Sequence, residues 1–313
     1  MNNFGSRAEP FLFILDFELH QPVILPLNGI DPAEIRFDLD GYTNRISQAQ
    51  SNKQVDFHKY PIGFDQYKSA FDEVIKQIHL GNTYLLNLTA KTKITTSLSL
   101  GEIFEHSKAP YKLFYKNQFV VFSPEPFVKI EGNTISSFPM KGTIDAGIHD
   151  AEAVLLNDLK ELAEHNTIVD LIRNDLSMVS KNVRVEKFRY VEKIRTHEKY
   201  LLQTSTKVCG ELPSGWRNQI GDILIPLLPA GSVTGAPKKK TVEIIKEVEN
   251  YDRGFFTGVY GCFDGRKLDS AVMIRFIEKT GEQLFFKSGG GITSFSNCES
   301  EYREMVDKVY LPI

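Results

Sequence analysis

Phe127-Val128-Lys129-Ile130-Glu131-Gly132-Asn133-Thr134-Ile135-Ser136-Ser137-Phe138 sets two runs rich in β-branched and aromatic residues on either side of a Gly-Asn pair. Such runs, so closely spaced, read as an antiparallel hairpin: strands over 127–131 and 134–138 joined through Glu131-Gly132-Asn133. Upstream, 84–89 and 114–122 have the same character, and 10–27 reads as two strands around a turn at His20-Gln21-Pro22. Downstream, strands are expected over 183–191, 200–208, 258–263, 271–278 and 283–287. Helical periodicity separates these blocks. Tyr67, Phe71, Val74, Ile75 and Ile78 share one face of a helix over 65–80 that stops at Gly81. Leu155, Leu159, Leu162, Val169, Ile172 and Leu176 recur at helical spacing after Asp150, which is placed to cap that helix. Further helices are expected over 237–250, with Pro237 in the first turn, and over 299–309. Helices fall between blocks of strands without βαβ alternation, so the fold class is α+β with mostly antiparallel sheets. The polar stretch 38–63 reads as an irregular surface connector. It divides the chain into N-terminal strands and connector (1–63) and a core (64–313).

Lys and Arg number 37 against 40 Asp and Glu, a net charge of −3, which gives no basic face for nucleic acid. The apolar run Phe11–Leu15 is too short to span a bilayer and lacks the flanks of a secretory leader. Cys209, Cys262 and Cys298 are an odd, scattered set without a CxxC pair. They count against a disulfide framework or zinc site and fit a reducing compartment. The expectation is a cytoplasmic protein with no nucleic-acid and no membrane partner.

Glu161 and Glu164 sit three apart on one expected helix, and Glu301 and Glu304 repeat the spacing on the last, with Lys308 four residues on. Like charges at this spacing repel on an isolated helix. A hard cation such as Mg²⁺ would relieve that; two solvated helix faces would account for it equally, and spacing does not choose. Lys287-Ser288-Gly289-Gly290-Gly291-Ile292 and Ala230-Gly231-Ser232-Val233-Thr234-Gly235-Ala236-Pro237-Lys238 read either as anion-binding nests or as tight turns; neither is a P-loop or a dinucleotide fingerprint. Lys141, in Pro139-Met140-Lys141-Gly142-Thr143, is a solvated charge or a nucleophile. As a nucleophile it must be partly neutral, which burial or a cationic neighbour would bring about. Glu125 lies one hairpin upstream, at the same end of the sheet if the intervening strands pair, where a protonated carboxyl could serve as general acid.

Taken in order, Ser123-Pro124-Glu125, Pro139–Thr143, Glu161-Leu162-Ala163-Glu164-His165, Ile168–Leu176, Gly231–Lys238, Arg253-Gly254, Gly289–Ile292 and Glu301-Tyr302-Arg303-Glu304 resemble the chorismate-binding enzyme family of anthranilate, aminodeoxychorismate, isochorismate and salicylate synthases. The resemblance implies one large domain of two packed, mostly antiparallel sheets with helices outside, and an N-terminal region shorter than in typical members. It implies Mg²⁺ on Glu164 and Glu304, with Glu161 and Glu301 beside them. It also implies a chorismate site made by Gly289, Gly290, Gly291, Thr234, Gln203, Arg275 and Lys308. Lys141 matches the nucleophile of the aminodeoxychorismate synthases, and Glu125 the family acid. These residues imply amination of chorismate, with ammonia from a glutamine amidotransferase subunit. An anthranilate synthase and a non-catalytic chorismate-binding module are the alternatives. Leu85 stands where water-activating members carry lysine and many aminating members glutamine. Gln203 replaces a frequent histidine and Phe256 a frequent tyrosine.

Overall fold

The computed structural model describes residues 1–45, 55–195 and 200–313; residues 46–54 of the expected connector lie outside them. In chain order the strands are β1 (Phe11–Leu15), β2 (Val23–Pro26), β3 (Ile35–Leu39), β4 (Tyr42–Thr43), β5 (Phe57–Tyr60), β6 (Leu85–Thr96), β7 (Tyr111–Tyr115), β8 (Phe119–Ser123), β9 (Pro126–Glu131), β10 (Thr134–Ser137), β11 (Met140–Asp145), β12 (Lys181–Arg195), β13 (Tyr200–Glu211), β14 (Gly235–Ala236), β15 (Val259–Phe263), β16 (Leu268–Val272), β17 (Phe276–Thr280) and β18 (Gln283–Ile292). The helices are α1 (Asn2–Ser6), α2 (Phe64–His79), α3 (Leu100–His106), α4 (Ala151–Asn157), α5 (Leu159–Ser177), α6 (Ile220–Leu224), α7 (Lys238–Val248) and α8 (Cys298–Asp307). Among the described residues, no helix is long and apolar enough to cross a membrane.

The strands make two nine-stranded antiparallel sheets. The first runs β11-β13-β10-β9-β16-β15-β1-β2, with β12 also on β13; the second runs β14-β6-β18-β17-β8-β7-β3-β4, with β5 on β6. Strand β1 shows how they stack. All five of its apolar residues are buried, because it is covered on both faces. The period of two sends Leu12 and Ile14 into a cluster with Phe37, Leu113, Val121 and Phe276 of the second sheet. Phe11, Phe13 and Leu15 pack instead with Ile168, Val169 and Ile172 of α5. The outer face of the second sheet lies under α2, α7 and α8, through Tyr67, Phe71, Ile244, Ile245 and Met305, and under α3 through Ile103 and Phe104. The N-terminal strands complete both sheets: β1 pairs with β15 and β3 with β7.

The hairpin at 127–138 forms, with Ile130 opposite Ile135. Elsewhere local chemistry redraws the expected elements. The run 114–122 belongs to two strands, β7 and β8, because Lys116 and Asn117 both take positive φ and Gln118 N–H donates to the Tyr115 carbonyl at 2.8 Å. That tight turn hides inside an apolar run. Asp150 takes a left-handed conformation and its side chain caps nothing. The expected helix is two helices, and Asp158 Oδ1 accepts from Glu161 N–H at 2.9 Å in the first turn of α5. Pro237 precedes α7 as its cap residue instead of opening its first turn. The connector contains β4 and β5. Helix α3 was not expected, although Ser99 and Glu102 form a capping box at its start.

The run 271–278 also divides, and here the division builds the site. Strand β16 belongs to the first sheet and β17 to the second, so the chain changes sheets through Met273-Ile274-Arg275. Strands β8 and β9 make the opposite change through Ser123-Pro124-Glu125. The two crossings are neighbours. Phe122 N–H donates to the Arg275 carbonyl and Val272 N–H to the Glu125 carbonyl, both at 3.1 Å.

A buried ion pair fastens the segment after α7 to β6. Arg253 donates to Glu249 through Nε at 2.8 Å and Nη2 at 2.7 Å, to the Asn87 carbonyl at 2.6 Å and to the Val233 carbonyl at 2.9 Å. Arg253→Ala leaves the Glu249 carboxylate buried without its cation and should lower the unfolding free energy by about 3–5 kcal/mol. A fall in the urea midpoint measures this. Arg253→Lys keeps the charge, loses the fork and should fall between the two.

Candidate active site

A cavity of about 330 Å³ lies where the two sheets meet, bounded by β11 and β13 of the first, β6 and β18 of the second, and by α5 and α8. It brings together Glu125, Lys141, Glu161, Glu164, Gln203, Arg275, Gly289, Gly290, Gly291, Glu301, Glu304 and Lys308. Thr234 stands apart. Its side chain is fully buried, donates to the Ala230 carbonyl at 2.9 Å and does not line the cavity.

Each acidic helix meets a lysine. Lys141 Nζ lies 2.6 Å from Glu164 Oε2. Lys308 Nζ lies 2.6 Å from Glu304 Oε1 and donates to the Gly289 carbonyl at 2.8 Å. Burial works against both ammonium groups, with different results. For Lys308 burial prevails over Glu304 and pushes the group down. For Lys141 burial also pulls down, but Glu164, Glu161 and Glu304 outweigh it and hold the group above the ordinary lysine range. The partly neutral amine expected of a nucleophile is therefore not the state this arrangement favours. Among the described residues, no three carboxylate, imidazole or thiol groups converge on one point as metal ligands. The donor set nevertheless fits a hard divalent cation: carboxylate oxygens from two helices face one cavity, over a position that carries no side chain. A Cβ on Gly290 would lie 3.3 Å from Glu301 Oε2, 3.6 Å from Glu304 Oε1 and 3.8 Å from Lys308 Nζ.

The glycine run is part of a strand, which corrects the loop reading. Gly289, Gly290 and Gly291 stand opposite Thr89, Leu88 and Asn87 of β6. Glycine permits a close approach here, since a Cβ on Gly289 would come within 2.2 Å of the Leu88 carbonyl oxygen. Strand β17 pairs with β18 only as far as Lys287, so the glycine run lies beyond that ladder, and alternate N–H groups of a strand point to that edge.

Glu125 is partly exposed, to the cavity, and Ser232 Oγ donates to its Oε1 at 2.5 Å. Burial raises this carboxyl above the ordinary range, against the opposing pull of Ser232 and Lys308. A carboxyl so placed retains a proton that an exposed one loses. Arg275, in a left-handed conformation at the second crossing, donates through Nη1 to the Lys308 carbonyl at 3.2 Å. Its Nε is buried and has no hydrogen-bond partner among the described residues. Gln203 stands opposite Thr143 of β11. Leu85 and Phe256 supply apolar wall.

Residues 31–312 match the family described as chorismate binding enzyme. The chain belongs to that family. It is 50% identical over 312 residues to an uncharacterized PabA-like protein of Haemophilus influenzae, covering 100% of this chain and 95% of that protein. It is 33% identical over 265 residues to aminodeoxychorismate synthase component 1 of Bacillus subtilis, covering 80% of this chain and 55% of that protein. Anthranilate synthase component I from Streptococcus pneumoniae superposes with a TM-score of 0.68 at 26% identity, over 82% of this chain and 59% of that one.

Two cavity residues of this chorismate binding enzyme escaped the sequence reading. Asn87 lines the cavity, and its Oδ1 is buried without a hydrogen-bond partner among the described residues. It lies two residues beyond Leu85, hence on the same strand face, and that period was the available signal. Ser232 stood inside a quoted motif, where Thr234 drew the assignment. Gly289→Ala should cost about 1–3 kcal/mol of stability through overpacking against β6. Gly290→Ala meets only side-chain ends and should leave thermal unfolding close to wild type while weakening chorismate binding. Thermal denaturation and calorimetric titration separate the two outcomes.

Proposed function

We propose that this protein is the synthase subunit of an aminodeoxychorismate synthase, converting chorismate and ammonia to 4-amino-4-deoxychorismate. In this reading Mg²⁺ is the cofactor and a glutamine amidotransferase partner supplies the ammonia. The observation that carries the reading is Lys141, an amine inside the same cavity as the Glu125 carboxyl. The named relative of Bacillus subtilis supports it. Lys308 and Arg275 supply positive charge for the two carboxylates of chorismate. The Lys141 amine adds to ring C2 as the C4–O bond breaks, and Glu125 protonates the departing hydroxyl, which leaves as water. Ammonia then forms the C4–N bond as the C2–N bond to Lys141 breaks, and the amine is restored. Bound by Glu164 and Glu304, with Glu161 and Glu301 beside them, Mg²⁺ would orient the substrate and offset the carboxylate charge that keeps Lys141 protonated. Leu85 offers no base to activate water, which sets this cavity apart from hydroxylating sites.

The Lys141–Glu164 ion pair is the observation that favours a second reading, in which Lys141 is a fixed counter-ion and the enzyme makes 2-aminobenzoate. Incubation with chorismate, ammonia and Mg²⁺, followed by a lyase, should give 4-aminobenzoate; sustained 2-aminobenzoate selects the second reading. Lys141→Ala should lose most amination while still binding chorismate by calorimetry, and undiminished turnover removes the covalent step. Treatment with EDTA should abolish turnover until Mg²⁺ is restored.

A further inference from the structure

We infer that Ser232 is a positioning residue that holds the Glu125 carboxyl with its proton directed at the substrate. The inference rests on the proposed function, in which Glu125 is the acid. The Glu125 backbone is fixed by Val272 N–H on its carbonyl and by its own N–H on Ser123 Oγ at 3.1 Å. Its carboxyl is fixed through Oε1 by Ser232.

Ser232 is itself held on the chain's far side. Arg253 binds the carbonyl of Val233, and Asn87 N–H donates to that of Thr234 at 2.9 Å. The hydroxyl thus reaches Glu125 from a rigid segment. A protonated carboxyl has one O–H for two oxygens. A donor on Oε1 makes that oxygen the acceptor and leaves the proton on Oε2.

The same bond favours the ionised carboxylate, so Ser232 restrains the rise that burial imposes. The other charged groups around the cavity are Lys308 after α8, Arg275 at the second crossing, Lys141 on β11, Lys287 on β18, and the glutamates of α5 and α8. All of them remain in a Ser232 variant. Glu125 acts while protonated, so turnover falls as pH rises through its pKa. Removing the donor raises that pKa and moves the alkaline limb upward.

The test compares wild type, Ser232→Ala, Ser232→Thr and Glu125→Gln by pH profiles of kcat and kcat/KM for chorismate. Ser232→Ala should lower kcat about tenfold, a fraction of the full acid contribution. KM should stay within about twofold, and the alkaline limb should move up by about half to one unit, the equivalent of one neutral hydrogen bond. Ser232→Thr should restore both. In parallel, ¹³C NMR of protein labelled at the glutamate carboxyls follows Glu125 directly, its resonance assigned by its loss in Glu125→Gln. The midpoint should rise in Ser232→Ala and return in Ser232→Thr. An unmoved midpoint overturns the role of Ser232 whatever the kinetics show. A moved midpoint beside wild-type turnover of Glu125→Gln upholds the hydrogen bond and removes Glu125 as the acid.

Discussion

The hydrogen bonds from Phe122 N–H to the Arg275 carbonyl and from Val272 N–H to the Glu125 carbonyl set the site. A strand that leaves one sheet for another abandons its ladder, and its backbone groups need other partners when buried. Here the chain crosses twice, in opposite directions and next to itself, so each crossing satisfies the other. The polar residues that such a corner carries then emerge between the sheets, where an ordinary sandwich keeps apolar side chains. Glu125 and Arg275 are those residues. The cavity is thus a consequence of how the sheets are joined, and the helices decorate a seam that the strands have already opened.

Charge governs what fills the seam. Glutamates from α5 and α8 would repel one another across the cavity, and each helix offers one carboxylate to a lysine, Glu164 to Lys141 of β11 and Glu304 to Lys308 at the end of α8 itself. Partly exposed pairs of this kind add little net stability, because solvent screens much of the attraction. They can therefore exchange partners without great loss. On the proposed reading, an anionic ligand with a cation makes that exchange, taking the lysines for itself and the glutamates for its metal.

Much of this was legible in the sequence, for physical reasons that differ by residue. The hairpin at 127–138 and the helix over 64–79 follow from local composition and period, and they form where expected. The paired glutamates could be placed on helices but not brought together, since that needs the tertiary fold; family resemblance supplied the missing step. The sheet crossing at 273–275 was invisible because Val272 and Phe276 are equally apolar on either side of it, and only a left-handed Arg275 marks the break. Thr234 failed for the opposite reason. Its hydroxyl satisfies its own segment, and the neighbouring Ser232 faces the acid.

On the proposed reading, Lys141 and Glu125 pose one electrostatic problem between them, for that chemistry needs a neutral amine and a neutral acid. As the cavity stands, Glu125 is pushed toward its neutral form and Lys141 toward its charged one. The causes differ. Burial dominates at Glu125, whereas at Lys141 burial is overcome by surrounding carboxylates. Positive charge placed among those carboxylates removes the opposition and leaves burial to act on both groups. Burial disfavours charge of either sign, so it strips the proton from a buried amine and keeps it on a buried acid. On that reading, one seam between the sheets holds nucleophile and acid in their working states together, provided the glutamates are occupied first.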